Sequence, residues 1–468
     1  MIYETSYDSG HKPFSPDLKR GKWDKPTDYI FACFGLALKL DIFVASYWFF
    51  FDMGIFGMLP YLVYMVIYLV PIMVIHSFMG QFSSSGFISA FRLSPFFKGM
   101  GYVSVFLTIA MLIYYSIFAA VPLLFMINSF RPTLPWSCEG FKLWYNESDG
   151  RKTTCNMTIS EDLTDISDNN THFHRILFHV PSVLYFLNNF ESVQGEYYTD
   201  LRQESELSWR FVSLFILVWA GSFDSQVLTH WTLFLSSATA LSSLGWPNLW
   251  TFIYYTMLLM AALIVITTQI FTVLQSLFDE FEILRVRKQE VTFGLIGGIA
   301  VCSFYFCTNH GITFFAALGL DAIFSHSLLH LLLLLVVLWI YGRERFQRDI
   351  EFMLGQPFAS WKIFILRFIA PIILIMCLVL GIFVCYMEHS YTSPIVLGIS
   401  IVLVILPMMA IPGYGIYYIY RSTGSFCERF RRTCRPTDWY PVEMEHRQQY
   451  EEAVSNTDMT QQLTAVPN

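Results

Sequence analysis

The chain has 468 residues, of which 55% are hydrophobic, 18% aromatic and only 14% charged, with a mean hydropathy of +0.49 and a formal net charge of −7. A soluble domain carries about 25% charged residues. Here the apolar residues run together in stretches of about 18 or more, the length that crosses hydrocarbon. The pattern excludes a soluble enzyme, and a charge segregated into loops and tails gives no footprint for nucleic acid.

In chain order, residues 1–28 form a polar N-terminal tail without the short apolar core of a cleaved signal, so the first span serves as its own insertion signal. Tyr29 to Phe51, Phe56 to His76 and Val103 to Ile127 are three apolar runs, and a polar joint from Gln81 to Lys98 separates the last two; together they form a unit over 29–128. A polar loop, 129–208, follows. The remaining spans lie within 209–420: Trp209 to Phe223, a weaker run from Val227 to Trp246, then Leu249 to Leu277, Val291 to Cys307, Ala322 to Tyr341, Ile363 to Tyr386 and Ile395 to Tyr420. Residues 421–468 are a charged tail with a basic cluster at Arg429, Arg431, Arg432 and Arg435. The expectation is an all-α, polytopic integral membrane bundle of about ten spans.

Basic residues set its orientation. Arg92 with Lys98, Arg285/Arg287/Lys288, Arg343/Arg345/Arg348 and the tail arginines all belong on the cytoplasmic side by the positive-inside bias, which puts both termini inside and the 129–208 loop outside. Two features of the loop agree with that side. Asn146-Glu-Ser, Asn156-Met-Thr and Asn169-Asn-Thr are glycosylation sequons crowded into it. Cys138 and Cys155 sit in the same stretch and are expected to pair, since only this loop meets an oxidising compartment. The other seven cysteines lie in spans or cytoplasmic ends and read as reduced, small apolar residues.

The runs Lys25-Pro-Thr-Asp-Tyr-Ile, Gly80-Gln-Phe-Ser-Ser-Ser-Gly, Ser94-Pro-Phe-Phe-Lys-Gly-Met-Gly-Tyr102, Ile113-Tyr-Tyr115 and Leu134-Pro-Trp-Ser-Cys138 resemble the first third of a sodium- and chloride-dependent neurotransmitter symporter. Trp339-Ile-Tyr-Gly-Arg-Glu-Arg-Phe346, Asp349-Ile with Met353-Leu-Gly355, Trp361-Lys with Pro371, and Arg435-Pro-Thr-Asp-Trp-Tyr-Pro441 resemble that family's tenth to twelfth helices and tail. The likeness implies a multi-pass plasma-membrane glycoprotein built on inverted repeats. It also implies that an amino-acid-like solute and its ions are held at the bilayer midplane, where two helices are broken. On this likeness Tyr115 matches the tyrosine whose hydroxyl contacts the substrate carboxylate; the bland reading is a core aromatic.

The departures from the family pattern fall on the ion site. The family's first helix carries a Gly-Leu-Gly-Asn-x-Trp-Arg-Phe-Pro-like stretch that supplies sodium ligands and half of an outer gate, whereas this chain reads Lys39-Leu-Asp41-Ile-Phe-Val-Ala-Ser46. The acidic partner of the gate arginine belongs six residues before Trp339, and Leu333 stands there. The family's Leu-Gly-Leu-Asp-Ser-Gln stretch in the eighth helix is replaced by Ala261-Ala-Leu-Ile264-Val265-Ile. Hard cations require several oxygen ligands, so sodium coupling through the family's ligands is not expected, and no residue replaces the chloride ligands. No cofactor or metal site is expected.

The fifth to seventh helices are also missing, which makes the expected fold a truncated version of the inverted-repeat transporter. Removing three spans reverses the sidedness downstream, so one further crossing is required. Val227 to Trp246 supplies it best, with Ile176 to Phe190 as the fallback; alternatively Trp209 to Phe223 corresponds to the seventh helix.

Four other groups invite a functional reading. Lys39 and Asp41 are intramembrane charges about 200° apart on a helix, too far round to pair locally. The ordinary reading is a snorkelling or otherwise paired charge; the functional one puts the Lys39 ammonium in the space of a lost sodium ion. Asp224-Ser225-Gln226 reads as a turn. His326 and His330 have metal-ligand spacing on one helix face but lack an evident third ligand, and His172, His174 and His179 read as solvated loop residues. No phosphate loop, His-Glu-x-x-His or Gly-x-Ser-x-Gly supports an enzyme.

Two functions follow from this reading. One is secondary transport of a small amino-acid-like solute with altered or absent sodium dependence. The other is a non-transporting relative that binds, traffics or dampens intact family members through helix contacts.

Overall fold

The computed structural model describes residues 70–137, 240–304, 324–387 and 404–464, together with residues 25, 27, 28, 30, 140, 237 and 238. Among these residues the structure is helical and contains no strand. Three helices are long and apolar enough to cross a membrane: Pro95–Asn128, Pro247–Glu280 and Phe324–Leu354. The spans expected at Tyr29 to Phe51 and Trp209 to Phe223 lie outside the described residues, so the count of ten extends beyond them.

Helix α1 (Val70–Ser83) leads into a compact joint made of α2 (Phe87–Ala90) and two 3-10 turns, Phe91–Leu93 and Pro95–Phe97. Helix α3 (Gly99–Asn128) then runs alongside α4 (Pro247–Glu280), the most extensive helix pairing in the described fold. At one end of this pair Phe125 stacks on Tyr255, their ring centroids 4.8 Å apart. Further along, Leu112 and Val273 pack with Ile299 of α6 (Lys288–Ser303), which follows the short α5 (Glu282–Val286). Hydroxyls within α4 fold back onto the backbone, Thr256 onto Phe252 O at 2.7 Å and Thr267 onto Leu263 O at 2.7 Å. Such back-bonding lets a polar side chain sit in an apolar helix.

Helix α7 (Phe324–Leu354) is not one straight rod. Residues Val336–Gly342 form a π-helical stretch, and Gly342 adopts φ 105° and ψ 143°, a conformation open to glycine but strained for any L side chain. The apolar part therefore ends at the turn, where the sequence placed the end of that span, and the arginine-rich Arg343–Leu354 continues in a new direction. Ser360–Phe364 (α8) joins α9 (Ala370–Met387) through a second π-helical stretch, Ile365–Ile369. The Arg367 guanidinium lies 4.2 Å from the Trp339 ring centroid and ties this connection to α7.

Helix α10 (Ala410–Arg421) packs on the joint and on α3. The tail folds into α11 (Phe426–Thr433) and α12 (Met444–Thr464). Ser425 and Glu428 form a reciprocal capping box that starts α11. Among the described residues, one core cluster joins α1, the joint, α7 and the start of α9 to Trp439, Tyr450 and Val454 of the tail. Trp439 stacks on Phe82 at 5.1 Å and Tyr450 meets the same ring edge-on at 5.2 Å. The 421–468 segment, expected as a separate tail, is thus in part a piece of the membrane protein's core.

Candidate functional site

The polar side chains that the fold brings together lie where the joint, the end of α4, the turn of α7 and the tail meet. Three linked clusters make up this region.

The first surrounds two carboxylates at the end of α4. Asp279 accepts a hydrogen bond from the Gly86 backbone N–H at 2.5 Å and another from Gln275 Nε2 at 2.9 Å. Glu280 accepts from Ser89 Oγ at 3.0 Å, Tyr102 Oη at 3.2 Å and Lys98 Nζ at 2.5 Å, the last an ion pair sheltered from solvent on both sides. Arg285 turns back and donates to the carbonyls of Phe278 and Asp279 at 2.5 and 2.9 Å. A cation at a helix C-terminus complements both its open carbonyls and its dipole.

The second centres on Arg92. Its guanidinium donates to Ser89 O at 3.0 Å, Ser83 O at 2.9 Å and Asp438 O of the tail at 3.0 Å, while Thr437 N–H donates to Arg92 O at 2.8 Å. Burial pulls this guanidinium down to about 10, against which the charges on Tyr440, Asp438, Asp279 and Glu280 pull upward, so it stays cationic at neutral pH.

The third centres on Asp349, which is fully buried. Its carboxylate accepts from Tyr341 Oη, from Tyr450 Oη at 2.8 Å and from Trp439 Nε1 at 3.2 Å, with Arg348 Nε 3.8 Å away. A buried carboxylate is tolerated when donors fill its lone pairs. The arrangement joins α7 to both halves of the tail. These clusters tie the joint, the end of α4, α7 and the tail to one another; they present no nucleophile–base pair.

The residues singled out in the sequence fare unevenly. Tyr115 lies on α3, buried, with its ring against Tyr114 at 5.7 Å and Phe118 at 5.9 Å. Leu333 is buried in the main core cluster, so the position of the family's gate acid is filled by hydrocarbon. From Met257 to Ile266 no side chain of α4 carries an oxygen, and Leu258, Ala262 and Val265 are its buried residues there. This donor set does not fit a sodium ion. His326 and His330 gain a neighbour invisible in the sequence: the His76 ring lies 5.5 Å from that of His330, and His330 lies 6.3 Å from His326. Among the described residues no three His, Cys, Asp or Glu side chains are arranged to hold a metal ion. Cys302, Cys427 and Cys434 are free thiols. Lys39, Asp41, Cys138, Cys155, Asn146, Asn156 and Asn169 lie outside the described residues, as do Asp224-Ser225-Gln226 and the loop histidines.

Sequence reasoning missed Asp279 and Glu280 and gave Asp349 no role. Asp279 and Glu280 lie just past the end of an apolar run and Asp349 lies in the arginine-rich helix beyond Tyr341, places where a carboxylate looks solvated unless its partners from distant segments are known.

Comparison with known proteins gives a consistent picture. The profile of the sodium:neurotransmitter symporter family matches residues 20–223 and 230–422. The sodium- and chloride-dependent neutral and basic amino acid transporter B(0+) of Homo sapiens is 29% identical over 202 residues, covering 42% of this chain and 29% of that protein. The sodium-dependent acetylcholine transporter of Caenorhabditis elegans is 32% identical over 123 residues, 25% of this chain and 17% of that protein. The sodium- and chloride-dependent creatine transporter 1 of Bos taurus is 27% identical over 151 residues, 30% of this chain and 24% of that protein. The matched stretches span less than a third of the length of these curated relatives.

Proposed function

Because the chain belongs to the sodium:neurotransmitter symporter family, whose members are secondary transporters and not enzymes, we propose that it is a membrane carrier for a small amino-acid-like solute that works without the family's sodium site. The observation that carries this reading is the contrast between two regions. The joint, the end of α4, α7 and the tail are tied by hydrogen bonds around Arg92, Glu280 and Asp349, whereas α4 from Met257 to Ile266 offers no side-chain oxygen where an ion would be stripped of its water. Stripping an ion of water requires oxygen atoms to replace it. The carrier lies in the plasma membrane with both termini in the cytoplasm. The loop bearing Asn146, Asn156, Asn169 and the Cys138–Cys155 disulfide is outside.

Uptake of labelled amino acids into cells displaying the protein at the surface tests this directly. Uptake above background that persists when choline replaces sodium is the expected result; uptake abolished by choline would overturn it. Tyr115→Phe is expected to raise the KM for solute about tenfold, the loss of one hydrogen bond to a charged group. Unchanged kinetics would reduce Tyr115 to a core aromatic.

Leu333 favours a second reading. With the place of the gate acid packed into the core, the outer gate cannot close by charge pairing. The chain then acts as a non-transporting partner of intact family members. Co-purification with a full-length family member, together with absent uptake, would select this reading over the first. Lys39→Met discriminates further: altered flux places that ammonium in the lost ion's space, and unchanged flux makes it a snorkelling charge.

A further inference from the structure

The arginines just past the last span are not absorbed by the hydrogen-bonded clusters described above. Between residues 421 and 435 the chain carries five arginines against one glutamate. That glutamate, Glu428, is occupied by the capping box with Ser425. Helix α11 begins at Phe426, immediately beyond the end of α10 at Arg421, so it lies at the level where a membrane-embedded α10 would emerge. Its apolar side chains are not hidden: Phe426 is 67% and Phe430 45% exposed. Phe430 reaches the joint through Phe96, their centroids 5.5 Å apart, which fixes the helix against the bundle. Arg431 and Arg435 are exposed, while Arg429 is half-buried with an Nε that finds no hydrogen-bond partner.

We propose that α11 is an interfacial helix that binds anionic phospholipid headgroups of the membrane in which the spans sit, with Arg429, Arg431 and Arg435 as the phosphate-binding residues. Exposed aromatics beside a dense set of arginines match the chemistry of the headgroup boundary, where rings enter the acyl edge and guanidinium groups donate bidentate hydrogen bonds to phosphate. A second observation points to a lipid surface and not to a protein partner. Two other junctions on the same face repeat the pairing in separate parts of the chain: Ile283 and Val286 stand exposed beside Arg287 at the start of α6, and Trp361 stands exposed beside Lys362 in α8. A protein partner needs one contiguous patch, whereas a bilayer meets every junction at its own level.

The test uses the full chain in nanodiscs, read by hydrogen–deuterium exchange over residues 422–435. Discs of phosphatidylcholine alone are compared with discs containing phosphatidylserine and with phosphatidylcholine discs plus soluble inositol hexakisphosphate. Exchange is expected to slow at least tenfold only with phosphatidylserine in the bilayer, and raising the salt to about 1 M should reverse the effect by shortening the screening length. Each arginine near an anionic surface contributes roughly fivefold in partitioning. The R429Q/R431Q/R435Q variant should therefore lose roughly a hundredfold of the preference for anionic discs. Equal exchange in both kinds of disc, equal protection by the soluble phosphate, or a variant that keeps its preference would each overturn the proposal. The salt series needs only the wild-type chain, so it decides the matter even if the variant fails to fold.

Discussion

Asp349 shows how much one side chain can join. Its two oxygens collect hydrogen bonds from Tyr341 in α7, Trp439 after α11 and Tyr450 in α12, three donors from three segments. Asp349→Ala would leave those donors without an acceptor in a buried site, a cost of about 4 kcal/mol. The expected readout is rapid proteolysis between residues 435 and 454 in a protein whose membrane helices stay intact. Unchanged resistance to protease would show that the tail is held by its apolar contacts alone. Arg92 gives a subtler case. Three carbonyls, from Ser83, Ser89 and Asp438, are met by one planar fork, and an ammonium on a flexible stem cannot span them. Arg92→Lys should cost about 2 kcal/mol despite keeping the charge, visible as a lower melting temperature in detergent. Neither role was legible in the sequence, because Trp439 and Tyr450 for Asp349, and Asp438 for Arg92, are remote along the chain and hydrogen-bond partners at that distance leave no local pattern.

At the scale of elements, the joint depends on close backbone approach and on one ion pair. A Cβ on Gly86 would stand 2.6 Å from Ser276 Cα, so Gly86→Ala must push α2 away from α4 and break the hydrogen bond from Gly86 N–H to Asp279. The expected cost is about 3 kcal/mol, seen as aggregation on gel filtration after solubilisation; a monodisperse variant with unchanged melting would contradict it. Lys98 and Glu280 suit a double-mutant cycle. Both are largely sheltered, and Lys98→Met and Glu280→Gln should each destabilise, with a coupling of about 2 kcal/mol between them. Additive effects would assign Glu280 to Ser89 and Tyr102 instead. Much at this scale was readable beforehand: the apolar runs at Val103 to Ile127 and Leu249 to Leu277 lie within the helices Pro95–Asn128 and Pro247–Glu280. The bend of α7 was not. A run of apolar residues specifies a helix by period and length, but the π-helical stretch and the conformation of Gly342 arise from tertiary packing.

For the whole molecule, family membership was legible because its motifs survive in order in the joint, in α7 and in the tail, which the structure packs together. Leu333 and the stretch Ala261 to Ile266 read as hydrocarbon in the sequence, and the structure buries Leu333, Ala262 and Val265. The span count rests on apolar runs that extend beyond the described residues, and sidedness on the basic clusters together with the sequons and cysteines of the 129–208 loop.

The placement of Trp439 and Tyr450 around Phe82 also bears on biogenesis. A ribosome makes α1 early and must then thread every later span through the translocon before it emits the residues that complete α1's packing. Until then Phe82 and Asp349 wait exposed to chaperones at the membrane surface. Quality control would therefore read this protein late, and a stop codon between Arg421 and Trp439 should leave all the spans inserted yet send the product to degradation.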